Sequence, residues 1–174
     1  MDSYIVKDIH TALNMFSDVL HWEGYFLERY TDTQGKVTVG VGYNLDSKGA
    51  NKIVGSLGIN YHDLKANKVR LTHEQVYALY LYSFTKSIEG ARSSVSTYDT
   101  LLFRVQCIFA DMVFNMGLSS FREFKKMIKA AEQLDYAGIA REMKDSKWFK
   151  QSHRAEPYCR EVLALAGQLS EDHQ

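Results

Sequence analysis

The chain has 174 residues, 45% of them hydrophobic and 24% charged, and its 21 basic and 21 acidic residues balance to zero net charge. This composition is typical of a single globular domain and excludes a long disordered chain, a collagen-like chain and a disulfide-rich miniprotein. No apolar run reaches 18 residues, so no transmembrane helix and no stable membrane insertion are expected. Zero net charge argues against nucleic acid as the main partner, because binding to phosphates usually needs a basic excess.

The first half of the sequence predicts one helix followed by a small sheet. Four apolar residues at helical spacing predict a helix from about Val6 to His21: Ile9, Leu13, Phe16 and Leu20. From Lys36 to Val41 polar and apolar residues alternate with a period of two, which predicts a strand after a turn. We expect a first strand over Phe26 to Tyr30 and a hairpin or three-stranded sheet that ends near Leu45.

The second half predicts helices with recognisable ends. Thr72 followed by Gln75 three residues later has the pattern of a capping box at a helix start. A nearly all-apolar segment from Leu101 to Met116 predicts a buried helix that ends at Gly117.

Polar residues predict the starts of the next helices. Ser119 or Ser120 is expected to cap a helix whose apolar face carries Phe124, Met127, Ile128 and Leu134. Asp135 is expected to cap a further helix with Ile139 and Met143 on its apolar face. A last helix is predicted from about Ala155 to Ala166, with Pro157 in its first turn.

Several kinds of functional site lack their sequence patterns. The six histidines show no metal-ligand spacing, and the two cysteines form no C-x-x-C motif. Gly40-x-Gly42 lacks the third glycine of a dinucleotide-binding loop. No cofactor and no metal are therefore expected. Cys107 lies in an apolar run and is interpreted as a core residue.

Two carboxylates stand out, Glu23 at the end of the first helix and Asp32 nine residues later in the predicted turn. Thr38 supplies a hydroxyl on the following strand. Hydrolysis of a glycosidic bond needs one acid for the leaving oxygen and one carboxylate that manages a water, about 6.5–9.5 Å apart in inverting enzymes. A helix-end Glu and a turn-forming Asp alone would more often be structural.

A longer sequence pattern favours the catalytic interpretation of Glu23 and Asp32 over the structural one. From Glu23 to Gly42 the sequence follows E-G-x(5)-Y-x-D-x-x-G-x-x-T-x-G-x-G. With the segments Asp111 to Gly117 and Ser146 to Ala155, it resembles the phage-type lysozymes, family 24 of the glycoside hydrolases. The three motifs occur in the family's order and span most of the chain.

The resemblance implies an α+β, lysozyme-like fold. A small β-containing lobe would occupy residues 24–70 and a larger helical lobe residues 1–23 and 71–174, with the active-site cleft between the two lobes. The implied activity is hydrolysis, with inversion, of the β-1,4 bond between N-acetylmuramic acid and N-acetylglucosamine in peptidoglycan. A monomer without a cofactor is expected.

The resemblance also implies residue roles. Glu23 matches the general acid, Asp32 the carboxylate that orients the attacking water, and Thr38 the residue that helps to hold that water. Arg154 matches an arginine that pairs with the catalytic glutamate. Five positions match substrate-contact or cleft residues: Asn44, Phe114, Gly117, Gln151 and Arg154. Trp148 is interpreted as packing the helical lobe rather than stacking on sugar.

Some positions depart from the family. Tyr43 replaces a histidine that has an acidic partner in a phage relative, so that ion pair should be absent. Asn44, Met127 and Glu142 carry different side chains at sugar-contact positions, which leaves the preferred peptidoglycan open.

Two other functions stay open on sequence grounds. A lytic transglycosylase would use a similar glutamate without water, although Asp32 and Thr38 argue against it. A non-catalytic wall-binding protein would share the fold, although the polar site positions are all filled.

The biological setting is also open. The first eight residues lack the pattern of a signal peptide, so we expect synthesis in a cytoplasm. Action on the wall or periplasm would follow release through a holin, as for a phage endolysin. A tail-associated lysozyme and a delivered toxin are the alternatives.

Overall fold

A computed structural model describes residues 3–171, and residues 1, 2 and 172–174, which the predicted lobe limits include, lie outside the described part. Within residues 3–171 the chain forms three strands: β1 (Phe26–Thr31), β2 (Val37–Gly40) and β3 (Tyr43–Asn44). The helices in the same range are α1 (Ser3–Glu23), α2 (Ala50–Ser56), α3 (Tyr61–Lys65), α4 (His73–Ser94), α5 (Phe103–Met116), α6 (Leu118–Arg122), α7 (Lys125–Glu132), α8 (Tyr136–Lys144), α9 (Lys147–Gln151) and α10 (Ala155–Glu171). This mixture confirms the α+β class.

The chain divides into two compact units, and the division falls between residues 85 and 86 inside α4. The first unit holds α1, the sheet and the first part of α4. The second unit holds the later helices. The predicted limits of the two lobes, and the predicted cleft between them, stay predictions.

The sheet of the first unit is antiparallel in the order β1-β2-β3. In its register Tyr30 lies opposite Thr38, and Thr38 lies opposite Asn44. The predicted three-stranded sheet is therefore confirmed. The second strand begins at Val37 rather than Lys36, because the Lys36 amide donates to Asp32 Oδ1 at 2.8 Å and so belongs to the turn.

Helix α1 forms where its apolar spacing predicts, but it buries a different set of side chains. Ile9 and Leu13 are exposed, whereas three neighbours on the helix are fully buried: Ala12, Met15 and Val19. The hydroxyl of Tyr80 in α4 donates to the Ala12 carbonyl at 2.7 Å, which fixes α1 against α4 within the first unit. Phe16, a predicted face residue, also packs its ring against Tyr77 and Tyr80 of α4, at centroid distances of 4.9 Å.

Helix α4 begins with the predicted capping box. The Thr72 amide donates to Gln75 Oε1 at 2.8 Å, and the Gln75 amide donates to Thr72 Oγ1 at 3.2 Å. The apolar positions at intervals of four residues along this helix are all buried: Val76, Tyr80, Phe84 and Ile88. Both predictions for this segment are confirmed.

The second unit is organised around α5, where the residues from Val105 to Val113 are all buried. Gly117 ends α5 as predicted, and its amide donates to the Val113 carbonyl at 2.8 Å. Cys107 and Cys159 are both buried, and the two cysteines are not joined by a disulfide. Among the described residues, no helix combines the length and apolar character needed to span a membrane.

The predicted start of the helix after Ser119 or Ser120 is wrong. Both serines lie inside the short helix α6, and the next helix, α7, begins only after Phe124. Phe124 has a ψ of 50°, which is outside the helical range, so the chain breaks there without a side-chain cap. Leu134, expected on the apolar face, is 45% exposed because it lies past the end of α7.

The last helices follow the prediction more closely. The Asp135 carboxylate accepts a hydrogen bond from the Gly138 amide at 2.8 Å and caps α8, in which Ile139 and Met143 are fully buried. Helix α8 packs against α7 and α10. Helix α10 starts at Ala155, as predicted.

Candidate active site

Glu23 is the last residue of α1 and is partly buried. The Gly24 amide donates to the Leu20 carbonyl at 2.9 Å, which closes the final helical turn. The chain then enters β1 two residues later. The end of the helix therefore delivers the Glu23 carboxyl directly beside the sheet.

Gly42, between β2 and β3, makes room for that carboxyl. A Cβ atom at this position would lie 2.9 Å from Glu23 Oε2 and 3.0 Å from its Cδ, so any side chain here would force the Glu23 carboxyl to shift. Gly42 also has a φ of +68°, a conformation that disfavours side chains. The Glu23 side chain thus packs directly on the backbone of the β2–β3 turn.

Asp32 shapes the turn between β1 and β2. Its Oδ1 atom accepts hydrogen bonds from the amides of Gln34 and Lys36, each at 2.8 Å. Its own amide donates to the Lys36 carbonyl at 2.9 Å. These bonds fix the orientation of the carboxylate through one oxygen, and the other oxygen, Oδ2, can accept from a water.

Thr38 lies in the middle strand and is only 4% exposed. Its hydroxyl donates to the Lys36 carbonyl at 3.3 Å. Its backbone stands between Tyr30 and Asn44 in the register of the sheet. The sheet therefore joins Thr38 to the turn that Asp32 controls.

Tyr30 is a site residue to which the sequence analysis assigned no role. Burial raises the pKa of its phenol, and the negative charges of Glu23 and Asp32 raise it further. The phenol therefore lies in the electric field of both predicted catalytic carboxylates and stays protonated at neutral pH. In the sequence, this residue is signalled by its place as the tyrosine of the E-G-x(5)-Y-x-D pattern.

The side chain and the carbonyl of Asn44 both accept hydrogen bonds from nearby residues. Its Oδ1 atom accepts from the Asp46 amide at 2.8 Å, and its carbonyl accepts from the Ser47 hydroxyl at 2.7 Å. The neighbouring Tyr43 is buried, and this burial raises the pKa of its phenol. The predicted sugar contact of Asn44 stays a prediction. Its side-chain oxygen Oδ1 already accepts a hydrogen bond within the turn.

Arg154 lies in the core of the second unit and is only 3% exposed. Its Nε atom lies 3.1 Å from Oδ2 of the fully buried Asp111. The same Asp111 oxygen accepts a hydrogen bond from the Tyr158 hydroxyl at 2.6 Å. Arg154 thus has an acidic partner within its own unit, and the predicted pairing with Glu23 stays a prediction.

A cavity of about 790 Å³ lies within the second unit. Its walls include Gln151 together with Met127 and Glu142, two of the four positions that depart from the family. Phe114, which is partly buried, and the exposed Gly117 are not among the residues that line it.

Trp148 belongs to the same cavity wall but is only 7% exposed. Its indole Nε1 donates to Asn115 Oδ1 at 3.1 Å, and its ring meets the ring of Phe124 edge to face at 6.4 Å. These contacts agree with the interpretation that Trp148 packs its own unit.

The first unit therefore brings together four predicted site residues: Glu23, Asp32, Thr38 and Asn44. Residues 3–171 contain no group of three or more His, Cys, Asp or Glu that could hold a metal ion. The first unit holds a helix-end acid packed on a glycine turn and a carboxylate fixed by its own turn. Glycoside hydrolysis uses a pair of carboxyl groups, and the catalytic roles of Glu23 and Asp32 stay predictions.

The comparison with protein families agrees with this geometry. The sequence model of the phage lysozyme family matches residues 20–158, and the chain therefore belongs to that family. This confirms the lysozyme-like fold. It also supports a lysozyme-type hydrolase with peptidoglycan as its substrate.

Two individual proteins are similar to this chain over most of its length, both from Dictyostelium discoideum. "Probable T4-type lysozyme 2" is 32% identical over 152 residues, which cover 80% of this chain and 88% of that protein. "Probable T4-type lysozyme 1" is 32% identical over 149 residues, with the same shares covered.

The buried Asp111 is expected to be essential for the stability of the second unit. Asp111→Ala should lower the free energy of unfolding by about 3–5 kcal/mol, because it leaves the Arg154 charge buried without its acidic partner. Urea denaturation followed by circular dichroism measures this loss. Glu156→Ala is the control, since it breaks an ion pair with Arg160 whose side chains are about 70% exposed, and it should cost less than about 1 kcal/mol. An Asp111→Ala protein as stable as the control would contradict the expectation.

Proposed function

We propose that this protein is a muramidase that hydrolyses the β-1,4 bond between N-acetylmuramic acid and N-acetylglucosamine with inversion. The observation that carries the proposal is the packing of the Glu23 carboxyl on Gly42, in the same unit as an Asp32 carboxylate held by its turn. The charges of both carboxylates act on the phenol of Tyr30 and raise its pKa. The match to the phage lysozyme family supports it.

In the proposed reaction Glu23 is the general acid. Its proton passes to the oxygen of the leaving sugar as the glycosidic bond breaks, and positive charge develops at the anomeric carbon. Placing the carboxyl against a glycine turn limits its freedom, so that the acid is held in one orientation before the substrate arrives.

Asp32 and Thr38 are proposed to position the attacking water. Two amides hold Asp32 Oδ1. Asp32 Oδ2 accepts a hydrogen bond, and then the proton, from the attacking water. This contact turns the lone pair of the water oxygen toward the anomeric carbon. Thr38 lies next to this turn on β2 and offers a second contact through its hydroxyl oxygen. Attack from the face opposite the leaving group inverts the configuration.

The remaining predicted residues are proposed to contact the substrate from the second unit. Gln151 lies on the wall of the 790 Å³ cavity, which has the size of a ligand pocket. Phe114, Gly117 and Arg154 retain their proposed roles in the cleft or at Glu23. The proposed setting is release to a bacterial wall after synthesis in a cytoplasm, as for an endolysin.

Glu23→Gln is the direct test of the proposed acid. The amide fills the same space but cannot donate the proton, so we expect the rate of hydrolysis to fall by about 100-fold or more. Loss of turbidity of outer-membrane-permeabilised Gram-negative cells measures the rate, and circular dichroism checks the fold.

The control for this experiment is Glu89→Gln, the same substitution at an exposed residue of α4. It should clear the cells at the wild-type rate. A folded Glu23→Gln protein that clears them equally fast would disprove the role of Glu23.

Gly42→Ala tests whether the packing on Glu23 matters for activity. The added Cβ should displace the carboxyl and lower the hydrolysis rate by at least about tenfold, since small displacements of catalytic groups are costly. Gly58→Ala is a matched control, because Gly58 lies outside the candidate site and has a similar φ of +75° but no atom within 4 Å of an added Cβ.

Both glycine substitutions should lower the free energy of unfolding by about 1–2 kcal/mol through backbone strain. Only Gly42→Ala should lose activity when both proteins are assayed at a temperature where they are folded. Equal activity of the two variants would show that the contact between Glu23 and Gly42 is not needed.

A further inference from the structure

We propose that Phe26 and Tyr30 form an aromatic surface beside Glu23 that stacks against a pyranose ring of the glycan strand. This inference rests on the proposed function, because it takes the same polymer as the ligand. It adds a substrate-binding residue, Phe26, that the family resemblance does not supply.

The position of the Phe26 ring is set by two contacts. Its edge lies against the backbone of Gly24, where a Cβ would come within 2.7 Å of Phe26 Cε2. Its centroid lies 4.3 Å from the centroid of the Tyr30 ring, at an angle of 42°. These contacts cover one edge and one side of the ring, and the residue remains 43% exposed.

Both contacts connect the ring to the candidate catalytic groups. Gly24 directly follows Glu23 in the chain, so the ring packs on the residue next to the proposed acid. Tyr30 lies in the field of the Glu23 and Asp32 carboxylates. A sugar that lies on Phe26 would therefore be next to the bond that these groups act on.

The chemistry of the surface fits a sugar ring. The face of an aromatic ring carries partial negative charge and attracts the slightly positive C–H groups of an apolar surface. A pyranose ring presents such C–H groups on its faces and hydroxyls at its edge. Tyr30 can add a hydrogen bond through its protonated phenol.

Single exposed apolar side chains are common and need no ligand. Phe103, at the start of α5, is such a residue, with 42% of its surface exposed. Phe26 differs because its ring packs on the backbone of Gly24, next to Glu23, and on the ring of Tyr30. Its near-equal exposure makes Phe103 a matched control.

The test compares Phe26→Ala with wild type on peptide-free glycan strands. Loss of stacking should raise KM about threefold to tenfold and leave kcat within about twofold of wild type. Phe26→Tyr should restore the wild-type KM, since it returns an aromatic ring. Phe103→Ala should leave KM unchanged. Unfolding of each variant is followed in urea, and unchanged stability excludes a general loss of structure.

A second measurement removes turnover from the comparison. Sedimentation with purified sacculi should show that Glu23→Gln binds more tightly than the double variant Glu23→Gln/Phe26→Ala. The ratio of the two dissociation constants should match the change in KM.

The outcomes separate this inference from the proposed function. If wild type degrades the strands, Glu23→Gln does not, and Phe26→Ala keeps the wild-type KM and binding, the aromatic surface is overturned and the muramidase remains. An increased KM on peptide-bearing sacculi but not on peptide-free strands would also overturn it, because the ring would then contact peptide. A wild-type protein that degrades neither substrate would instead overturn the proposed function.

Discussion

The site depends on one close contact, the Glu23 carboxyl against the backbone of Gly42. It joins the end of α1 to the turn between β2 and β3, where Gly42 leaves space for the carboxyl and takes a positive φ. A carboxyl held in this way loses little further freedom when the substrate binds. The hydrogen bonds of Asp32 do the same for the second carboxylate, through the backbone of its own turn.

In the second unit a buried charged group likewise fixes the positions of the side chains around it. Asp111 holds Arg154 and Tyr158 at one oxygen, in a core with almost no exposure to water. Such a group adds little net stability compared with apolar packing, but it fixes the positions of its members, since any other arrangement would leave a charge unpaired. It thereby determines where α10 begins relative to α5. Stability and the placement of a predicted site residue are thus linked in this unit.

The sequence could predict what is encoded locally. The Thr72–Gln75 capping box, the Asp135 cap and the alternation of β2 depend on neighbouring residues, and all three were confirmed. The buried face of α1 was predicted only in part: Phe16 packs against α4, but the full burial of Ala12 and Val19 depends on contacts with distant segments that the local pattern does not show. The break at Phe124 has no local signal either. In the candidate site the motif singled out Glu23 and Asp32, whose catalytic roles stay predictions. The packing of Glu23 on Gly42 joins two segments that are distant in sequence, so it could not be predicted.

In the proposed reaction Asp32 and Thr38 position a water while Glu23 gives up its proton. Proton NMR of the reducing end formed in the first minutes of digestion of peptide-free glycan strands would show how the water attacks. Inverting hydrolysis predicts that the α-anomer appears first and converts slowly to the equilibrium mixture. An initial β-anomer would contradict inversion, and a 1,6-anhydro end formed without water would contradict hydrolysis.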